Sequence, residues 1–285
     1  MRNSPCSPLD AALAAGTLAL GAAASYNGYV VRRTPLKAPR LPAGTHLRLV
    51  VLSDLHGETA GWRRHWLARL VRDQSPHLIL LAGDIFDDVR PFENTEDFLR
   101  QLNGCAPLYY ALGNHEFRSR RVPEICRRAQ GLGVRMLRDG WVTLGGGRVA
   151  LAGMDDYASP AFGSPERWLA HCRERFAPLK DFPGLRILIS HRPELQEAYG
   201  LLPFDLVVCG HAHGGQARIP GLCNGVYAVQ QGLFPPWVGG LYRHGSWDQL
   251  VSRGVSRYLL LPRVFNPPEV SLLELEGTGT PHMDL

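Results

Sequence analysis

Five short apolar runs, each broken off by a polar patch, constrain this 285-residue chain more than any other feature. LRLVVLS ends in Ser53-Asp54-Leu55-His56-Gly57, LILLAG in Gly83-Asp84-Ile85-Phe86-Asp87, and PLYYALG in Gly113-Asn114-His115-Glu116. RILIS is followed by His191, and DLVVCG by His211-Ala212-His213-Gly214-Gly215. A continuous apolar run of this length is what a strand buried on both faces requires. Open α/β sheets place their ligands beyond the carboxyl ends of such strands. Helix-sized intervals separate the runs, so the expected fold is α/β, with the five polar ends converging on one edge of the sheet.

The same patterning sets the other elements. Strands are expected over 47–52, 78–82, 107–112, 186–190 and 205–209, and helices over 62–74, 93–102, 123–130, 164–176 and 193–199. VRML, WVTL and RVALAG, between 134 and 154, are expected to extend the sheet, with Gly145–Gly147 as a hairpin turn. Met154-Asp155-Asp156 reads as a solvated loop. QLVSRG and VSLLELE read as closing strands. Between 219 and 245 the Pro, Gly and aromatic content argues against regular structure, and Leu233, Phe234, Trp237, Val238 and Leu241 are candidates for an apolar rim, with His244 in a lid.

Residues 1–33 read as an N-terminal tail. Within it Ala11 to Val31 carries no charge over twenty-one residues, long enough for a single membrane anchor, with a cleaved signal peptide as the alternative. Membrane association through 11–31 is therefore expected, with the face of the membrane left open. Residues 34–46, with three prolines, read as a linker, 47–276 as the folded domain that carries the five patches and 277–285 as a flexible tail. The first forty residues hold five basic side chains and one acidic, so only +1 of the formal +5 remains for the rest of the chain. No basic stripe is visible, and no specific nucleic-acid partner is expected. The six cysteines have neither CxxC nor regular spacing, so no disulfide framework is expected.

The residue types in the patches name a chemistry. Aspartate, asparagine and histidine form an oxygen-plus-imidazole ligand set without thiolate, large enough for two divalent ions. Asp54 and His56, two apart, would share a face in extended backbone, as would His211 and His213. Asp84 can bridge two ions through its two oxygens, and Asn114 offers a neutral carbonyl. His115, beside it, must point elsewhere and suits a proton donor better than a ligand. Singly, each patch is ordinary turn chemistry; five in series at strand ends are not.

The ordered set DLHG, GDIFDD, GNHE, SH and GHAH resembles the calcineurin-like metallophosphoesterase family, and GHAHGGQ, GLYRHG, VSRG and NPPEVSLLEL resemble its bacterial YkuE/YaeI-type phosphodiesterase branch. The resemblance implies a four-layer α/β/β/α sandwich preceded by the N-terminal hydrophobic segment. It implies one metal on Asp54, His56, Asp84 and His213, a second on Asp84, Asn114, His191 and His211, and His115 as the catalytic histidine. Manganese is the expected metal, with zinc or iron as alternatives. Glu116 stands where the family commonly has aspartate and is expected to keep a link to His115; Ala212 replaces threonine or serine. The implied reaction is hydrolysis of a phosphodiester or a lipid-linked nucleotide pyrophosphate by metal-activated hydroxide. A phosphomonoesterase acting on protein or nucleotide is the alternative, and a non-catalytic scaffold would lack a ligand that is present here.

Overall fold

The five apolar runs are strands, and each feeds two different cores. A computed structural model describes residues 8–58, 61–257 and 263–280. The first half runs α1 (Pro8–Ala24), β1 (Val30–Pro42), β2 (His46–Leu52), α2 (Gly61–Asp73), β3 (Leu78–Ala82), α3 (Phe92–Leu102), β4 (Leu108–Ala111), α4 (Asn114–Arg118), α5 (Val122–Gly131) and β5 (Arg135–Met136). The second runs β6 (Gly140–Leu144), β7 (Val149–Gly153), α6 (Pro165–Phe176), β8 (Leu185–Ile189), α7 (Gln196–Tyr199), β9 (Leu206–Cys209), β10 (Tyr227–Ala228), β11 (Gly232–Leu233), β12 (Gly240–Arg243), β13 (Asp248–Val251) and β14 (Glu269–Gly279).

Two six-stranded sheets result, ordered β1-β14-β2-β3-β4-β5 and β12-β13-β9-β8-β7-β6. Alternation along each strand assigns its two faces. Leu49, Val51, Leu80 and Ala82 of the first sheet share one apolar cluster with Ile187, Ile189, Leu206 and Val208 of the second. Their neighbours Val50, Leu52, Ile79 and Leu81 turn outward onto Leu67, Val71, Phe98 and Ile125 of α2, α3 and α5. Leu188, Val207 and Cys209 turn the other way, onto Trp168, Cys172 and Phe176 of α6. The two sheets thus form the middle of a mixed α/β sandwich, with helices on both outer faces. The strands expected to extend one sheet divide between the two: β5 closes the first, while β6 and β7 belong to the second, joined by a hairpin at Gly145–Gly147.

The expected linker is a strand. β1 pairs in parallel with β14 from Val30↔Glu269 to Ala38↔Gly277, with a register shift before Pro42↔Gly279. Three prolines are tolerated because β1 is an edge strand, where one side of the backbone needs no ladder partner. Leu36, Ala38 and Leu41 are buried between the sheets, so this segment supplies core. At the other end Gly277 to Gly279 still belong to β14, and the final five residues of the expected tail lie outside the described residues.

The expected anchor is also revised. α1 stops at Ala24, whose carbonyl accepts from Phe265 N–H at 2.9 Å, and Val30 and Val31 already belong to the sheet. Among the described residues no helix is long and apolar enough to cross a membrane. Leu13, Leu18 and Leu20 of α1 are exposed. The five described cysteines are free thiols, and Cys6 lies outside the described residues.

Candidate metal centre

The five polar ends come from both sheets. β2, β3 and β4 of the first deliver the Asp54–His56, Asp84 and Asn114–His115 patches. β8 and β9 of the second deliver His191 and the His211–His213 patch. The loops lock by backbone bonds: Asp54 N–H donates to Gly83 O at 3.1 Å and His56 N–H to Asp84 O at 3.0 Å. Close approach explains two glycines. A side chain at Gly113 would meet Asp84 Oδ1 at 2.4 Å, and one at Gly210 would meet Ser53 Cβ at 2.5 Å and Asp54 Oδ2 at 2.7 Å.

Asp54 (φ 53°), His56 (47°), Asp84 (53°), His211 (68°) and His213 (47°) all sit in the left-handed region. The extended backbone expected for the two Xaa-x-His pairs is therefore not what brings their side chains together. Non-glycine residues in this region cost on the order of 1 kcal/mol each or more and persist only where surroundings over-determine them. Here the surroundings do so. Asp54 accepts the His211 N–H on both carboxylate oxygens at 3.1 Å, and Asp84 Oδ1 accepts the His115 N–H at 2.9 Å.

Two buried clusters form, each with its ligand atoms within 4.8 Å of one another: Asp54, His56 and His213, and Asp84, His191 and His211. A third group, His56, Asp84 and His115, joins them. In the first cluster Asp54 Oδ1 lies 3.5 Å from His213 Nε2 and 4.0 Å from His56 Nε2. In the second, His191 Nε2 lies 3.1 Å from both Asp84 Oδ2 and His211 Nδ1.

The outer nitrogens set the tautomers. His191 Nδ1 donates to Ala82 O at 2.8 Å, and His56 Nδ1 stands 3.1 Å from Asp87 Oδ2. A ring nitrogen that donates outward leaves the other with its lone pair facing inward. Three electron-rich atoms (Asp84 Oδ2, His191 Nε2 and His211 Nδ1) therefore converge where a cation would satisfy all of them. Burial opposes charge on His191, but Asp84 beside it outweighs burial and pushes its pKa up to about 10. Asp87 responds in the opposite sense: burial raises it, yet His56 and the Val89 and Arg90 N–H groups bring it down to about 2. Asn114 adds a further donor suited to a cation, since its Oδ1 is buried and accepts no hydrogen bond. The donor set fits divalent metal.

His115 is a member of neither cluster but borders both, grouped with His56 and Asp84 and with its ring edge-on to that of His56 at 4.4 Å between centroids. Its Nδ1 meets Asp88 Oδ1 at 2.6 Å, while Nε2 lies 3.9 Å from Asp84 Oδ2. Burial pulls its pKa below the ordinary histidine value, with Asp84 opposing. The link expected from Glu116 is absent. Glu116 is fully buried and accepts from the N–H groups of Asp84 (3.0 Å), Ile85 (2.7 Å), Phe86 (3.0 Å) and Gly113 (2.7 Å) and from the Tyr110 hydroxyl. It clamps the Asp84 turn to the Asn114 helix.

Other expectations change too. Asp155 and Asp156 are buried, not solvated. Asp155 pairs with Arg138 at 2.6 Å and is nonetheless raised to about 6 by burial; Asp156 pairs with Arg192, beside His191, at 2.6 Å. His244 stacks on Trp247 and bonds Gln249 beyond the start of β13, whose first residue pairs with the first of β9, so it lies away from the strand ends that carry the site. Sequence reasoning gave no role to Asp87, Asp88 or Gln230, whose Oε1 lies 2.5 Å from His211 Nε2. The acidic doublet two residues past Ile85 was a readable signal for the first two; nothing local marks Gln230.

A family model described as calcineurin-like phosphoesterase matches residues 47–215, more than half of the chain and every residue of both clusters. The chain belongs to that family. It is a hydrolase, of a family that uses a dimetal centre. This phosphoesterase is 29% identical over 237 residues to Phosphodiesterase YaeI of Escherichia coli (strain K12), covering 80% of this chain and 82% of that one. It is 24% identical over 298 residues to UDP-2,3-diacylglucosamine pyrophosphatase LpxG of Chlamydia muridarum, covering 85% and 87%. Among solved structures, Haemophilus influenzae NAD nucleotidase (NadN) superposes with a TM-score of 0.50 at 16% identity, over 74% of this chain and 45% of that one.

Proposed function

We propose that this phosphoesterase hydrolyses a phosphodiester, or the pyrophosphate bond of a lipid-linked nucleotide, at two divalent ions. Asp54, His56, Asp84 and His213 would hold one, and Asp84, Asn114, His191 and His211 the other. The observation that carries the reading is the place of Asp84, whose Oδ2 lies 3.1 Å from His191 Nε2 and 3.8 Å from His56 Nε2. One carboxylate therefore borders both clusters. Oxygen and imidazole donors without thiolate suit manganese, and the imidazoles also accept zinc or iron.

When bound, such a pair of ions polarises the phosphoryl group and lowers the pKa of a water that attacks it. The protein supplies the rest. Asp87 and the Ala82 carbonyl keep His56 and His191 in the tautomers that face inward. His115 donates the proton that an alkoxide leaving group needs. In the free protein burial favours its neutral form, so its proton is taken up as the anionic substrate arrives, with Asp88 at 2.6 Å stabilising the imidazolium.

The substrate reading rests on the loop after His213. Leu222, Leu233 and Phe234 are 81%, 69% and 70% exposed, enough for an apolar portion of a substrate to lie against them. LpxG, named for a diacylated sugar nucleotide, supports the same substrate class. The rim is narrower than its sequence suggests: Val238 is buried, and Trp237 packs half-buried against Tyr242 and His244. Metal analysis with a panel of a soluble diester, a monoester and a diacylated nucleotide pyrophosphate tests the proposal. Two ions per chain and preference for diester or pyrophosphate are expected. Preferential monoester hydrolysis overturns it.

A further inference from the structure

Each imidazole of the second cluster needs its outer nitrogen held, and the two holders differ in kind. His191 Nδ1 is held by Ala82 O at 2.8 Å, a carbonyl inside a central strand. His211 Nε2 is held by Gln230 Oε1 at 2.5 Å, a side chain on a surface hairpin. His211 itself is only 4% exposed, and its Nδ1 faces His191 Nε2 at 3.1 Å. An amide oxygen can only accept, so Nε2 must carry the hydrogen and Nδ1 the inward lone pair.

The hairpin is built to hold that amide in place. β10 and β11 pair through Tyr227↔Leu233 and Ala228↔Gly232, leaving a three-residue loop with Gln230 at φ 60°. Three-residue hairpin loops place one residue in the left-handed region, usually glycine. Here a side chain is kept instead, and its bond to His211 offsets the strain. The next residue braces the hairpin: Gln231 Nε2 donates to Trp237 O at 2.9 Å, and Gln231 Oε1 accepts the Trp237 N–H at 3.0 Å. Val226 N–H also donates to Gly215 O at 3.0 Å, tying the hairpin's base to the turn after His213.

We infer that Gln230 is a positioning residue for the second ion, fixing the tautomer and ring orientation with which His211 binds it. The inference rests on the ligand reading above. Groups that hold a ligating imidazole by its far nitrogen commonly contribute about 10–100-fold to metal affinity. The hairpin sits outside both sheets and carries the exposed Leu233 and Phe234. Contact of a substrate there would bear directly on His211.

Metal-free protein titrated calorimetrically with Mn2+, and with Co2+ followed by visible absorption, tests this. Gln230→Leu removes the acceptor at similar volume; Gln230→Glu keeps it. Expected is a second equivalent bound about 10–100-fold more weakly in Gln230→Leu, with an altered Co2+ spectrum. The first equivalent and the Tm of the metal-free protein should not move, and Gln230→Glu should restore the second equivalent. Unaltered binding in Gln230→Leu, while His211→Ala loses its second ion, overturns the inference and leaves the ligand reading standing. Retention of both ions by His211→Ala overturns the ligand reading itself. Weakening of both equivalents with a fallen Tm would show a merely structural hairpin and also overturn the inference.

Discussion

Glu116→Gln is the most incisive perturbation of the scaffold behind the centre, because it changes one atom and almost no volume. Glu116 Oε1 accepts from Ile85 N, Phe86 N and the Tyr110 hydroxyl, and Oε2 from Asp84 N and Gly113 N. Every partner except the hydroxyl is obliged to donate. An amide must place its NH2 at one of the two oxygen positions, and either choice strands two buried backbone N–H groups. Each stranded buried donor costs about 1–3 kcal/mol, so the substitution should cost about 2–6 kcal/mol, a large part of the roughly 5–15 kcal/mol that stabilises a typical domain. For a domain of this size that lowers Tm by about 4–24 °C. Thermal unfolding of metal-free protein, followed by circular dichroism, reads the change without interference from ion binding. Because the stranded groups hold the Asp84 turn, metal affinity should fall as well. An unchanged Tm would refute the argument that the Glu116 carboxyl group clamps these turns.

Three further outcomes are expected. His115→Ala should keep two ions per chain while losing turnover by about 10²–10⁴-fold on substrates with poor leaving groups and much less on nitrophenyl esters; Asp88→Asn should show the same leaving-group pattern at smaller size, and equal losses on both substrate types would remove proton donation from the account. Metal binding at pH 8 should release close to one proton from His191, whose metal-free pKa is raised to about 10: the proton is held below that value and lost above it, so metal affinity climbs with pH up to about 10, and calorimetric heats independent of buffer ionisation would contradict this. Leu41→Ala should destabilise the domain by about 2–5 kcal/mol, since Leu41 is fully buried between the sheets; a neutral result in denaturant unfolding would return β1 to the status of a linker.

Strands β2, β3, β4, β8 and β9 were legible because continuous apolar runs have few other uses in a chain of this length. The polar residues at their ends were legible for the same reason: a boundary is visible when the composition changes abruptly. β1 was not, because proline is read as a breaker and only position at a sheet edge makes it acceptable. The division into two sheets was equally hidden, since β5 and β6 are separated by only three residues and alternate alike. Within the site, the clustered aspartates and histidines announced themselves by type. The groups that orient them did not. Asp88 and Glu116 are ordinary acids in sequence, and only the fold decides that the first meets His115 and the second meets five donors. Gln230 lies nineteen residues from His211, on a hairpin with no apolar periodicity to predict it.

Each metal cluster draws on both sheets, and this affects how the protein can be made. The first sheet's Asp54, His56, Asp84 and Asn114 are all translated by residue 114, whereas the last partner, His213, follows 99 residues later. At about 5–20 residues per second that interval is about 5–20 s. During it the nascent chain has two aspartates, a histidine and an asparagine but no closed cage, so a cation picked up early should be held loosely. Closure waits for the second sheet to dock, because Asp54 then receives the His211 N–H and His191 comes within 3.1 Å of Asp84. On the proposed ligand set, loading with metal is therefore also a test of completed synthesis: a chain that stops before β8 has Asp54, His56, Asp84 and Asn114 and none of the second sheet's imidazoles.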